Sequence, residues 1–260
     1  MKFNTLIQNF SKHSFLFQQL VKRDFEHKYK RTSLGMLWSV LSPLLTLLVM
    51  RIVFTDFFGR NTPHYTIYLF SGNIVFSYFR EATNNGMTSL MNNANVIEKI
   101  NVPKYLFLLS RNVQAFFNFL LTVLVYFLFC IIDHIDFGWH MLSLVYPVLC
   151  LLLLNIGVGL ILSAVYIFFR DMTYLYGVFL TLLNYMSVIF YTLDNFSEKV
   201  QRLFLLNPVY VIIKYFRTVV IDGHLPSAEY HLLMLGYSSI FVLIGMHMYR
   251  KYNHQFVYYL

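Results

Sequence analysis

Long apolar stretches, separated by short clusters of charged residues, dominate the pattern of this chain. The first of them, Met36–Thr55, contains Arg51 as its only charged residue. It is about twenty residues long, so that as a helix it rises about 30 Å, the thickness of the hydrocarbon core of a bilayer. The pattern therefore predicts a helix that crosses a membrane.

Five further apolar stretches follow, namely Tyr65–Phe79, Val113–Ile132, Leu142–Phe169, Tyr174–Leu193 and Leu232–Tyr249. The first of these is a few residues too short, unless its helix continues through Arg80 and Glu81 toward Met91. A charge at the centre of a bilayer costs about 2.5–3.5 kcal/mol, so we expect this polar pair to face protein or a water-filled channel. The chain is thus predicted to be an all-α integral membrane protein with six transmembrane helices.

A basic amphipathic segment, residues 12–32, precedes the first apolar stretch. Its apolar residues recur every four positions and share one face of a helix: Phe17, Val21, Phe25 and Tyr29. Its charged residues include Arg23, Asp24, Lys28, Lys30 and Arg31. A helix with this pattern lies on the membrane surface and leads into the six-span bundle, which we predict over residues 36–249.

Lysine and arginine residues predict the orientation of the bundle. Most of them fall in the N-terminal segment, in the connections after the second and fourth spans, and in the C-terminal tail, whereas residues 133–140 contain neither. Since cytoplasmic loops carry the excess of these residues, we expect both termini in the cytoplasm. The net charge of +8 is accounted for by this topology, and no nucleic-acid partner is expected.

One apolar segment, Leu203–Val220, does not fit a simple crossing because it contains Pro208, Lys214 and Arg217. A proline after an asparagine ends a helix, since its ring removes a donor and clashes with the preceding turn. We expect a re-entrant pair of short helices within residues 196–222; the alternative is a surface loop with an amphipathic helix. Lys214 and Arg217 are candidate contacts for lipid headgroups or a pyrophosphate, or else they only anchor the segment at the interface.

Signatures of enzymes are absent from the sequence. No glycine precedes a lysine, which excludes a G-x-x-x-x-G-K-[ST] phosphate loop, and neither H-E-x-x-H nor G-x-S-x-G occurs. The nine histidines are isolated, and the two cysteines, Cys130 and Cys150, lie in apolar stretches without the spacing of metal ligands. We expect no metal, cofactor or catalytic residue. A membrane-embedded glycan-lipid transferase, the alternative from another class, would need a cluster of acids or histidines.

Four groups of motifs are spread over nearly the whole chain. In chain order they are Arg23-Asp24 with Tyr29–Trp38 and Ser42–Leu44, then Asn93–Lys99 with Val102-Pro103, then Phe169–Asp171, and last Leu206–Pro208. Together they resemble the permease subunit of type-2 ABC exporters, in the branch that exports O antigens, teichoic acids and capsules. Arg80 beside Glu81 departs from the family pattern.

The resemblance implies one type-2 transmembrane domain over residues 1–260, working as a homodimer with two copies of a cognate ATPase that binds ATP and Mg²⁺. Residues 12–32 become the interface helix and residues 93–101 the coupling helix. In the coupling helix, the residues expected to meet the ATPase are Asn93, Asn95, Glu98 and Lys99. Arg170 and Asp171 mark the cytoplasmic turn after the fourth span.

The implied substrate is an undecaprenyl-linked glycan, which would be carried across the cytoplasmic membrane of a bacterium in contact with membrane lipid. A type-2 exporter of a small drug or a lipid has the same fold and is the alternative within transport.

Overall fold

The computed structural model describes residues 13–29, 34–57, 63–100, 102–193 and 196–259, and within these ranges all regular structure is helical. The α-helices are α1 Ser14–Tyr29, α2 Trp38–Arg51, α3 Tyr65–Met87, α4 Ala94–Ile97, α5 Tyr105–Ile132, α6 Val145–Phe168, α7 Met172–Met186, α8 Glu198–Phe204, α9 Pro208–Val220, α10 Ala228–Tyr252 and α11 Phe256–Tyr259. A π-helical turn, Ile52–Phe57, extends α2, and the 3-10 turns are Gly35–Leu37, Met91–Asn93 and Trp139–Leu144.

Three helical segments of the described chain are long and apolar enough to cross a membrane: α5, α6 with the turn before it, and α10. A fourth crossing results only if α8 and α9, which meet at an angle of 108°, are one broken span. The protein is therefore a multi-pass helical membrane protein, but the predicted count of six spans is not confirmed.

Two of the predicted spans are shorter as helices than the sequence pattern indicates. The helix of the first stretch has 14 residues before its π-helical turn. The helix of the stretch Tyr174–Leu193, α7, has 15 residues and ends at Met186 instead of Leu193. It ends there because Val188, two residues later, takes a left-handed backbone conformation with φ 55°. By contrast, α3 continues through Arg80 and Glu81 to Met87, as expected.

The centre of the bundle is α6, which packs along α10 and α3. Glycines bring these helices close together. A Cβ on Gly157 of α6 would lie 2.5 Å from the backbone nitrogen of Val242, and one on Gly86 of α3 would lie 3.2 Å from Gly159 Cα. Such approaches allow backbone-to-backbone packing of the kind that joins helices in membranes.

The bundle has two ends with different chemistry. One end, called the basic end, comprises α1, residues 88–100 and 102–104, the turn between α6 and α7, and α11; a buried apolar cluster with members such as Leu20, Ile97 and Phe256 joins these parts. The far end comprises residues 133–144, 187–193 and 196–207, and there His64 Nδ1 lies 2.8 Å from Asp133 Oδ2.

Candidate functional site

At the basic end, α1 is attached to α5 by Asp24, whose side chain is 1% exposed. Its carboxylate accepts hydrogen bonds from Arg23 Nη2 at 2.8 Å and Ser110 Oγ at 2.9 Å, and it lies 3.6 Å from Arg111 Nε. Gln114 Nε2 donates to its backbone carbonyl at 2.9 Å. A buried carboxylate with this many donors is fully compensated, so α1 is firmly anchored.

The other charged residues predicted for the interface helix cannot be placed in the same way. The side chain of Lys28, and Lys30 and Arg31 as a whole, lie outside the residues that the structure describes. Arg23 and Asp24 form an ion pair with each other, and Asp24 faces α5. The pair thus attaches the helix to the bundle. Whether α1 also meets a partner protein stays a prediction.

The predicted coupling helix, residues 93–101, is much shorter in the structure. Its α-helical part is α4, which has four residues, and Asn101 is not among the described residues. Asn93 is only 3% exposed, and its Nδ2 donates to the carbonyl of Ser89 at 2.7 Å. The turn before α4 thus directs Asn93 inward, and its contact with the ATPase stays a prediction.

The other three residues of this segment that were expected to meet the ATPase are exposed, namely Asn95, Glu98 and Lys99. Ile97, between them, is buried in the apolar cluster of the basic end. Lys104 Nζ, whose pKa is lowered by burial, donates to the backbone carbonyl of Asn253 at 2.9 Å. The segment is thus packed on the apolar cluster through Ile97, and the chain just after it is bonded to the C-terminal tail through Lys104.

The turn between α6 and α7 lies at the same end. Arg170 and Asp171 are exposed there, and the neighbouring Phe168 contacts Phe256 of α11 with ring centroids 6.1 Å apart. Since Phe256 belongs to the same apolar cluster as Ile97, this turn and the segment 94–100 lie at the same end of the bundle. We call these two exposed parts together the docking surface.

In the middle of the bundle, Arg80 and Glu81 do not act as a pair. Arg80 is exposed on the surface of α3, whereas Glu81 is partly buried and accepts a hydrogen bond from Asn118 Nδ2 of α5 at 2.9 Å. Nearby, the Tyr78 hydroxyl lies beside the Asn155 amide, yet neither has a hydrogen bond of good geometry among the described residues. These groups form a polar layer between α3, α5 and α6. The expectation that Arg80 and Glu81 both face protein or a water-filled channel stays a prediction, with Glu81 bonded to α5 and Arg80 exposed.

The sequence reasoning missed Asn118 and Asn155. The signal was present, because Asn155 is the one amide side chain in the stretch Leu142–Phe169. A polar residue within a membrane-spanning helix usually faces the interior of the bundle.

At the far end, Met186, the last residue of α7, and the five residues after it form a segment that we call the strap, residues 186–191. Most of its backbone carbonyls bond to side chains of other helices. Three accept hydrogen bonds from α3 and the start of α9: Met186 O from Asn207 Nδ2 at 3.1 Å, Phe190 O from Tyr65 Oη at 3.0 Å, and Tyr191 O from Tyr68 Oη at 2.6 Å. The strap is therefore held by tertiary hydrogen bonds in place of secondary structure.

Arg217 of α9 holds the middle of the strap. Its Nη1 donates to Val188 O at 2.9 Å and its Nη2 to Ile189 O at 3.3 Å. The same guanidinium donates to Tyr68 O at 3.1 Å and lies 3.4 Å from the centre of the Tyr68 ring. Arg217 is 7% exposed, so it faces the protein interior.

Lys214, one turn earlier on α9, has different surroundings. It is partly exposed, and its Nζ lies 5.4 Å from the centre of the Tyr230 ring of α10. Lys214 and Arg217 therefore do not share one surface, because Arg217 is bonded to the carbonyls of the strap. Contact with a headgroup or a substrate stays a prediction for both residues.

Comparison with known proteins gives the class of the chain. The family model described as "ABC-2 type transporter" matches residues 15–221. Because this match covers most of the chain, the protein belongs to the ABC-2 type transporter family, as its motifs predicted.

The chain is similar to permeases of known export systems over nearly its whole length. It is 28% identical to an O-antigen export system permease protein RfbA of Klebsiella pneumoniae, over 93% of this chain and 95% of the relative. It is 25% identical to a polysialic acid transport protein KpsM of Escherichia coli, over 90% and 92%. For the capsule polysaccharide export inner-membrane protein CtrC of Neisseria meningitidis, the identity is 22%, over 87% of each chain.

Proposed function

We propose that this chain is the permease subunit of an ABC exporter that moves a lipid-linked polysaccharide across the cytoplasmic membrane. The observation that carries the proposal is the similarity, over more than nine-tenths of both chains, to a permease of O-antigen export. Relatives named for polysialic acid and capsule polysaccharide support the same substrate class. Small drugs are chemically unlike all three, so they are the less favoured substrates.

ATP is hydrolysed, in this proposal, by a separate cognate subunit that attaches at the docking surface. The exposed side chains there have mixed charge, with Glu98 and Lys99 on one part and Arg170 and Asp171 on the other. Rigid support from Ile97 and Lys104 suits this segment to transmitting a movement of a docked protein, because a flexible loop would absorb it.

The functional unit is a homodimer in this proposal. The helix α7 supports it, since it presents large apolar side chains on its surface: Tyr174 is 78% and Val178 is 72% exposed. A second copy that packs against α7 would cover them and would line a path between the two copies. The excess of lysine and arginine at the basic end supports a cytoplasmic position for both termini, with six crossings and a re-entrant α8–α9 pair.

The test is to delete the gene and to complement it with the permease, alone and together with its cognate ATPase. We expect deletion to remove the surface polysaccharide and to leave it, still linked to lipid, inside the cell. Purified permease should not hydrolyse ATP, and the complex of two permeases with two ATPases should. Normal surface polysaccharide in the deletion strain, or loss of a drug-efflux phenotype alone, would overturn the proposed substrate class.

A further inference from the structure

The strap is held in place in an energetically unfavourable backbone conformation. Val188 has φ 55°, a left-handed conformation that costs energy for a residue branched at Cβ. The helix α7 ends there, and the two carbonyls that follow the turn accept their hydrogen bonds from Arg217. The strain at Val188 therefore persists because groups outside the strap hold it.

The charge on Arg217 is balanced in an unusual way. The guanidinium donates only to backbone carbonyls and to the Ser71 hydroxyl, and it forms no ion pair with any residue that the structure describes. Carbonyl dipoles stabilise a cation less than a carboxylate does. The arrangement holds the strap without fixing it as firmly as an ion pair would.

The neighbouring helix α3 is shaped around this contact. A Cβ on Gly72 would lie 2.9 Å from Arg217 Nη2 and 3.3 Å from the side chain of Ile189. The missing side chain at position 72 therefore gives the guanidinium and the strap the room they occupy. Three separate elements, α3, α9 and the strap, meet at this one side chain.

We propose that Arg217 is a positioning residue of the transport cycle, acting as a latch that holds the strap against α3 in the resting state and releases it during export. The inference rests on the proposed export function. When the strap is released from Arg217, Val188 can leave its unfavourable backbone conformation. When the five hydrogen bonds donated by Arg217 form again, the far end closes. The strap connects α7 to the bent pair α8–α9. A movement of either of these elements therefore also moves the strap.

A buried reporter on the strap tests the latch. Ser187 is fully buried, and Ser187→Cys changes its size little, so a thiol there reacts only when the strap leaves its place. The complex with the cognate ATPase, held in lipid nanodiscs, is treated with a water-soluble thiol reagent, with and without ATP. The complex that lacks the reporter cysteine measures background labelling of the native cysteines. The complex without ATP, which cannot hydrolyse, represents the resting state.

We expect labelling of the reporter to be slow at rest and several-fold faster during ATP hydrolysis. With Arg217→Met it should be at least tenfold faster even at rest, because the change removes all five donor contacts and the loss of even one charge-assisted hydrogen bond shifts an opening equilibrium by about that factor. Arg217→Lys should give an intermediate rate. Lys199→Met, which removes an exposed cation of α8 at the far end, should match the parent.

Equal labelling at rest and during hydrolysis, in a complex that exports polysaccharide, would overturn the latch and leave the proposed function intact. A complex that hydrolyses ATP but exports no polysaccharide would instead overturn the proposed function. If Arg217→Met does not assemble with the ATPase, the comparison of resting and hydrolysing states in the parent protein still decides the question.

Discussion

The two ends of the bundle hold a buried charge in opposite ways. At the basic end, the Asp24 carboxylate meets two arginines and a hydroxyl group. At the far end, the Arg217 guanidinium meets backbone carbonyls and the hydroxyl of Ser71. Opposite charges in a partly buried site bind strongly, whereas a cation among neutral dipoles is held less firmly. The comparison indicates a firmly anchored end, suited to receiving a partner, and an end suited to rearrangement.

The first prediction tests the firm end and has the largest expected effect. Asp24→Asn removes the charge that Arg23 and Arg111 share, and we expect it to lower the free energy of unfolding by about 2–3 kcal/mol. This loss of stability is smaller than the loss expected when one partner of a fully buried ion pair is removed, because both arginines are partly exposed to solvent. The thermal unfolding midpoint of the purified permease in detergent measures the change.

Glu26→Gln is the matched control for this experiment, since Glu26 lies on the same helix and is exposed. We expect it to leave the unfolding midpoint unchanged. Equal midpoints for Asp24→Asn and the parent protein would show that α1 is not anchored by this carboxylate.

The second prediction concerns Asn207, which connects the strap to α9. Its Oδ1 accepts from the backbone nitrogens of Val209 and Tyr210, and its Nδ2 donates to Met186 O. Asn207→Ala removes both the helix cap and the strap contact, and it should cost about 1–2 kcal/mol of stability. Thermal unfolding measures this, with Asn92→Ala at an exposed position of the basic end as control.

Asn207→Ala also sharpens the comparison between the ends. We expect it to loosen the strap without weakening attachment of the ATPase, which a pull-down from membranes measures. If it released the ATPase instead, the two ends would not be separate in function.

The third prediction has the smallest expected effect and concerns the docking surface. Reversing both charges, with Glu98→Lys and Lys99→Glu, should weaken retention of the ATPase in a pull-down while leaving membrane insertion unchanged. Exposed ion pairs are worth only about 0–1 kcal/mol each, so a defect of a few-fold is expected.

The chain provides a matched control at the other end. Glu198 and Lys199 form the same exposed Glu-Lys dipeptide at the far end, and reversing them should not affect the ATPase. The docking surface would be assigned incorrectly if charge reversal at Glu198 and Lys199 also released the ATPase. It would equally be incorrect if charge reversal at Glu98 and Lys99 did not release it.

Features that depend on a few neighbouring residues were predictable from the sequence. The stretches Val113–Ile132, Leu142–Phe169 and Leu232–Tyr249 each lie largely within a helix that can cross a membrane. The break before Pro208 was also predicted, and α9 begins at that residue. The family motifs predicted the class of protein, which the family match confirms.

Features that depend on contacts between distant parts of the chain were not predictable. The end of α7 at Met186 and the inward position of Arg217 have one common cause. The Arg217 guanidinium bonds to the carbonyls of Val188 and Ile189, almost thirty positions earlier in the chain. The spacing of residues in the sequence does not indicate such a bond. Asn93 is likewise turned inward by the path of the chain before α4.

The sequence by itself determined which segments are apolar enough to enter a membrane, where a helix must stop, and which family the chain resembles, because hydropathy and proline geometry act locally. Only the tertiary structure decided where the buried charges find their partners. A single helical segment such as α9 is buried on almost every side, so the direction of its charged side chains depends on which donors and acceptors the neighbouring helices present.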